Sequence, residues 1–265
     1  MLFALMRLLR RILTTVVITL AVIAFLVFWV APVALSFDAV RKASPVTRVV
    51  PTDLKDLSVS QVPGTKVSYV GYEFEIPWND LDESQTRSVP KDHPEMVSLA
   101  FRSGLHLIAG AVPPRALPNG FVREWKLSPH NFESVFAAAA AQSDYDFHKH
   151  LYEFTPDKMH LWALSPSVHY REQFLLDVKE VVLAGLSADT GIFNVQNQNW
   201  RGFQLGDPKA HPLRIAVHLY SDKGSVELTF AGKDGRGPVA VTQPEINRIV
   251  ESLRHVPQEA QGSTN

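Results

Sequence analysis

The sequence predicts an α+β fold: a mainly antiparallel sheet covered by a C-terminal amphipathic helix and a central helical block, preceded by one transmembrane helix. Three observations predict it. Residues 12–30 form an uncharged apolar run, ILTTVVITLAVIAFLVFWV. Period-two alternation marks strands early and late in the chain, with helix signals between and after them. The order of strands, then helices, then strands, then a helix suits α+β rather than alternating βα units.

The leader comes first. Residues 1–11 carry Arg7, Arg10 and Arg11 and no acid, and the uncharged stretch that follows runs to Phe37. At 1.5 Å per residue this covers a hydrocarbon core of about 30 Å. Residues 12–37 therefore read as a signal-anchor helix whose partner is the lipid bilayer, with Trp29 near one end. Three Arg before the span favour a cytoplasmic N-terminus and an extracytoplasmic body, although Arg41, Lys42, Arg48 and Lys55 follow it. The alternative is a cleaved signal and a secreted or periplasmic body: Ala34-Leu35-Ser36 supplies small residues for cleavage near Ser36, and Pro32 would break the helix just before it. The run exceeds the usual secretory core of about 7–15 residues, which favours the uncleaved anchor.

The rest of the chain is an ordinary water-soluble composition once the leader is removed. It carries 23 Lys+Arg against 27 Asp+Glu, so a net charge of −1 is a +3 leader added to a −4 body. A mildly acidic body argues against a nucleic-acid partner. The chain has no Cys, which excludes disulfides, thiolate nucleophiles, iron–sulfur clusters and Cys-based zinc sites.

Residues 38–65, with Pro45, Pro51, Pro63 and Gly64, read as a stalk or linker, and a single α+β domain is expected over 66–256. Tyr72, Phe74 and Ile76 alternate with Glu73 and Glu75 in a strand stopped by Pro77. MVSLAF and LHLIAGAV flank Arg102-Ser103-Gly104 as a hairpin, closed by the loop VPPRALPNG. Ser128-Pro129, Thr155-Pro156 and Ser165-Pro166 are three helix starts, and 128–186 is expected as a block of two to four helices. Within it lie the alanine-rich FESVFAAAAAQ and an apolar stripe of Phe174, Leu175, Val178, Val181 and Val182. GIFNVQ and RGFQLG pair around Asn197-Gln198-Asn199. The clearest hairpin joins Leu213, Ile215, Val217 and Leu219 to Val226, Leu228 and Phe230. Thr242-Gln243-Pro244-Glu245 is a capping box before Ile246, Ile249, Val250 and Leu253. The polar tail 257–265 is expected to be disordered.

The strand running into proline at 72–78, the late hairpin at 213–230 and the closing helix PEINRIVESLR at 244–254 together resemble the Mog1/PsbP-like α+β domains, with the block at 128–186 as an enlarged insertion. The resemblance implies a non-enzymatic accessory or binding role at or near a membrane and carries over no catalytic residue.

The candidate chemistry is thin. His148, His150, His160 and His169 cluster in sequence, and a His pair at i and i+2 could pinch a metal on a strand. In the helix expected there the two rings point about 200° apart. Trp78 to Glu83 is acidic but lacks the spacing of a calcium loop. Ser187 in Gly185-Leu-Ser-Ala-Asp189 ends in Asp where a nucleophile elbow has Gly, and follows a helix rather than a strand. Gly232-Lys-Asp-Gly235-Arg-Gly237 matches no phosphate-binding fingerprint. Trp125, Trp162 and Trp200, with Tyr145, Tyr152 and Tyr170, are core residues or interface anchors. No repeat of 20–50 residues is apparent. The sequence thus assigns no catalytic, metal or cofactor-binding residue. It points to a membrane-anchored binding or accessory module for a protein or small ligand, with an envelope hydrolase or metal-dependent enzyme as the alternative.

Overall fold

The computed structural model describes residues 2–69, 71–88, 96–112, 143–163, 165–184, 191–232, 235 and 237–256. The Ser128-Pro129 helix start, the alanine-rich run, residues 113–120 of the proline-rich loop, Trp125, Ser187 and the tail 257–265 lie outside these residues. The fold is α+β, with one mixed and one antiparallel sheet. It divides into two compact units, residues 1–48 with 154–183, and residues 49–153 with 184–265.

The first unit begins with α1 (Leu2–Phe25), one π-helical turn (Leu26–Val30) and α2 (Ala31–Lys42). From Arg10 to Lys42 this helix is long and apolar enough to cross a membrane. The threonines within it bond their own backbone: Thr14 Oγ1 donates to Arg10 O at 2.8 Å and Thr19 Oγ1 to Thr15 O at 2.9 Å. Hydroxyls in an apolar run thereby need no external partner. Pro32 does not end the helix, unlike the break that the cleaved-signal alternative expects there. A proline has no N–H to give to the previous turn, and the chain absorbs it with a turn in which the Ala31 N–H bonds Leu26 O, five residues back.

Residues 154–183 belong with this helix rather than with the sheet expected to hold them in one domain. Pro156–Lys158 is only a 3₁₀ turn, because the chain is extended again at Met159. A long helix, α4 (Pro166–Val182), packs on α2. Its inner face is only in part the expected apolar stripe, since Leu175 and Val178 are buried on it. Val181 is 51% exposed, whereas His169, Glu172 and Lys179 are buried beside Leu175, Leu176 and Val178. Each buried polar group has a partner within the unit: Ser36 for His169, His160 for Glu172 and the Phe154 carbonyl, 2.7 Å away, for Lys179. Those partners explain how the polar residues displace the valine from the inner face.

The second unit is built on an eight-stranded sheet. Its order is β1 (Pro51–Asp53), β7 (Ile192–Gln196), β8 (Arg201–Leu205), β9 (Arg214–Ser221), β10 (Gly224–Ala231), β6 (His106–Val112), β5 (Met96–Ala100) and β4 (Arg87–Ser88). The expected hairpins at 96–112, 192–205 and 214–231 all form, antiparallel. β1 joins β7 in parallel, so part of the segment expected as a stalk is a sheet edge. Leu213 lies just before β9 and is 53% exposed. A second sheet orders β11 (Arg254–His255), β3 (Tyr72–Ile76) and β2 (Thr65–Tyr69).

α5 (Gln243–Ser252) carries the expected capping box, with Thr242 N donating to Glu245 Oε2 at 2.7 Å. Its Ile246, Ile249 and Val250, with Leu253 beyond its end, are 0–4% exposed in one core with Phe74, Ile76, Leu107, Val217, Leu219 and Leu228. The stalk region is pinned to the same helix: Asn247 Nδ2 donates to Asp56 O at 2.8 Å and Ser58 O at 2.7 Å. Asn247 also accepts from Gln243 Nε2, which forms a reciprocal amide pair with Gln204. No sequence periodicity marks this polar layer, since each group is satisfied by one far along the chain.

Gly202 sits where β8 and β9 approach most closely, and a Cβ there would overlap the His218 carbonyl oxygen. Backbone cannot move aside as a side-chain tip can. Gly202→Ala is expected to lower unfolding stability by at least about 3 kcal/mol in chemical denaturation, while Gly237→Ala, with open space around it, changes it by less than about 0.5 kcal/mol.

Candidate functional site

The face of the eight-stranded sheet opposite α5 is less apolar. Alternation along β9 sends Ile215, Val217 and Leu219 to the α5 core, and Ala216, His218 and Tyr220 to the other side. Register then builds two rows across neighbouring strands. Phe203, His218, Glu227 and Gly110 lie side by side, and next to them Arg201, Tyr220, Ser225 and Val112. Gly110 contributes no side chain beside Glu227.

α3 (Asp144–Glu153) covers these rows through aromatic contacts. Tyr145 stacks on Phe203, with ring centroids 5.3 Å apart and planes 11° from parallel, and the Arg201 guanidinium lies 4.3 Å from the Tyr145 ring. Tyr152 meets Phe203 edge-on at 5.1 Å. Between helix and sheet remains a cavity of about 260 Å³ lined by Val112, Asp144, His148, His218, Tyr220, Ser225, Val226 and Glu227. That volume is small beside drug-sized sites and suits a ligand of few heavy atoms.

Two histidines, a tyrosine and a carboxylate define its chemistry. His148 Nδ1 lies 2.8 Å from the Tyr220 hydroxyl and 2.9 Å from the Asp144 carbonyl. A carbonyl only accepts, so the proton at this nitrogen is either its own, shared between both oxygens, or the phenol's donated to a bare Nδ1. Burial, with the nearby His218 adding to its effect, pushes His148 down to about 3. The ring is therefore neutral at physiological pH. Burial likewise holds the Tyr220 phenol well above its usual range, with Tyr152, Asp144 and Glu227 adding to the effect. His218 is lowered by burial, against the pull of Glu227. Its Nε2 stands 3.9 Å from Glu227 Oε1, beyond hydrogen-bond reach. Glu227 is 45% exposed and accepts from Thr229 Oγ1 at 3.2 Å. Burial thus disfavours charge on both imidazoles, and the acidic side chains of the lining are Asp144 and Glu227.

The residues singled out in the sequence are scattered by comparison. His148 is buried in the cavity wall while His150, two residues on, is exposed, as helical geometry requires. His160 and His169 belong to the other unit. His160 is held by Glu172 through Nδ1 at 2.6 Å and through its backbone N–H at 2.7 Å. No group of three or more His, Asp or Glu suited to a metal occurs among the described residues. In the acidic loop, Asp80 accepts from the Ser103 N–H and Asp82 from both the N–H and the hydroxyl of Ser84, so these carboxylates brace turns. Trp200 is buried and donates to Leu253 O at 2.8 Å. Trp162 and Tyr170 are 79% and 51% exposed. Sequence reasoning missed His218, Tyr220 and Glu227; their signal was a hairpin whose face away from the core carries His, Tyr, Ser and Glu.

A neutral buried His148 makes the fold acid-sensitive. The unfolded ring titrates near 6.5 and the folded one near 3, so the unfolded state binds more protons between these values and stability falls as pH drops through that window. Going from pH 7 to pH 5 should cost about 2 kcal/mol in denaturant unfolding. His148→Gln, which keeps a polar partner for Tyr220, should remove the part of that slope due to His148 and leave the part due to His218. No protein-family model, no curated protein and no solved structure matches the chain, so the reading of this cavity rests on its own geometry and chemistry.

Proposed function

We propose that the protein is a single-pass membrane-anchored binding module that performs no chemistry and takes a small neutral or cationic molecule in the cavity between α3 and the β8–β10 face. The observation that carries this reading is the cavity itself: aromatic and imidazole walls, imidazoles on which burial disfavours charge, and acidic side chains only from Asp144 and Glu227. Anions are disfavoured there, while a cationic group gains both the carboxylates and the ring faces. The accessory role implied by the resemblance to Mog1/PsbP-like domains belongs to the same class of function. An acid–base hydrolase would also use a His–Glu pair. The serine hydroxyl in this cavity, however, is engaged: Ser225 Oγ donates to Val112 O at 3.0 Å, which favours binding over acyl transfer.

The charges around the anchor support a topology for the module. Three Arg precede the apolar helix and no acid lies before Asp38, which supports a cytoplasmic N-terminus and a body on the far side. Because the chain lacks Cys, single thiols report topology directly. In intact bacterial cells expressing the full chain, Lys223→Cys should react with a membrane-impermeant maleimide, whereas Leu2→Cys should react only after lysis; the opposite pattern reverses the orientation.

Matched probes test the cavity. In saturation-transfer NMR on the full chain in detergent micelles, benzylamine should bind and benzoate should not. Glu227→Gln should weaken the amine several-fold, and Ser225→Phe, which fills the space, should abolish its signal. Equal binding of both probes, or amine binding that survives Ser225→Phe, would rule the reading out.

A further inference from the structure

Outside the cavity, the first unit exposes an aromatic side chain that its own packing does not explain. Trp162 is 79% exposed, yet its ring meets Phe37 of α2 edge-on, with centroids 5.2 Å apart and planes at 71°. A tryptophan so exposed leaves most of a large apolar surface in water.

The contact is fixed in height along the helix. Ser36, next to Phe37, is completely buried, and its Oγ lies 2.9 Å from His169 Nδ1 on α4. His169 Nε2 lies 2.9 Å from Ala163 O, one residue after Trp162. In the neutral ring Nε2 donates to that carbonyl and Nδ1 accepts from the serine hydroxyl, so one histidine clamps the 161–163 turn onto α2.

Helix arithmetic places that height. The uncharged run from Ile12 to Phe37 is 26 residues, or about 39 Å of helix, against about 30 Å of hydrocarbon and about 40–45 Å with the headgroup layers. With Arg10 and Arg11 held at one surface, about 20 residues from Ile12 span the hydrocarbon, and Pro32 to Phe37 cross the opposite headgroup layer. Charge resumes immediately beyond, where Asp38 pairs with Lys42 at 2.6 Å and with Arg41 at 3.3 Å. The headgroup layer is where an indole, apolar in body and able to donate a hydrogen bond, is most at home.

We propose that the turn carrying Trp162 is a second membrane contact, an indole lodged in the lipid headgroup layer beside Phe37, so that residues 159–163 and 165–170 lie on the bilayer surface rather than free in water. The proposal rests on the anchor reading, and its test separates the two. The full chain, free of native thiols, is reconstituted in phosphatidylcholine nanodiscs with one spin label at a time: Trp162→Cys, Val22→Cys within the span, and Lys223→Cys as the aqueous reference. The ratio of oxygen to nickel-chelate collision rates reports depth. Expected is a ratio at position 162 several-fold above that at 223 and below that at 22. A ratio at 162 equal to that at 223, with 22 in lipid, overturns the surface contact and leaves the anchor intact. An aqueous ratio at 22 overturns both.

Discussion

Everything described for the second unit depends on the register of β9 against β10. With Leu219 opposite Val226 and Val217 opposite Leu228, the pleat sends one set of residues to the α5 core and the other to α3. A slip of one residue would drive His218 and Tyr220 into the apolar core and expel Val217 and Leu219 from it. The turn holds the pairing: Gly224 has φ of 145°, and the Ser221 hydroxyl donates to its carbonyl at 3.1 Å. Gly202 then lets β8 come close enough on the other side to bring Phe203 level with His218. These pairings bring His218, Tyr220, Ser225 and Glu227 together in the cavity wall.

The two units settle their buried polar groups differently. In the first, His169, Glu172 and Lys179 each meet a partner that the neighbouring turn or α2 supplies. Burial nevertheless pushes Lys179 down to about 7, because a backbone carbonyl offsets only part of the cost of desolvating an ammonium. In the second, Gln204, Gln243 and Asn247 form a neutral layer that fastens residues 56–58 to α5 without any charge to desolvate.

What was legible in the sequence is what local chemistry decides. The capping box at Thr242 and Glu245 and the alternation of 214–231 rest on residues within a turn or a hairpin of one another, and both elements form where expected. β1 and β11 were invisible because strands of three and two residues have no period; partners far along the chain, Ile192 to Asn194 and Tyr72 to Glu73, make them strands. The stripe on α4 was misread for a related reason. Hydrophobicity alone put Val181 inward, whereas Lys179 and Glu172 are inward because distant atoms satisfy them. The site was illegible as a site: His148 and Tyr220 are 72 residues apart, and nothing near either one announces the other.

Two buried histidines in one chain show why the cavity, rather than burial, carries the functional argument. His169 has both ring nitrogens placed on protein atoms, Ser36 Oγ and Ala163 O, and it works as a clamp. His148 places one nitrogen against both a phenol and a carbonyl, lines an open space, and sits under a half-exposed carboxylate across from His218. A phenylalanine at position 148 would pack against Phe147, Tyr152 and Tyr220 without the acid sensitivity that a desolvated imidazole brings. An imidazole there costs stability below pH 6.5 and offers in exchange a polar wall that a small molecule entering past Glu227 would meet.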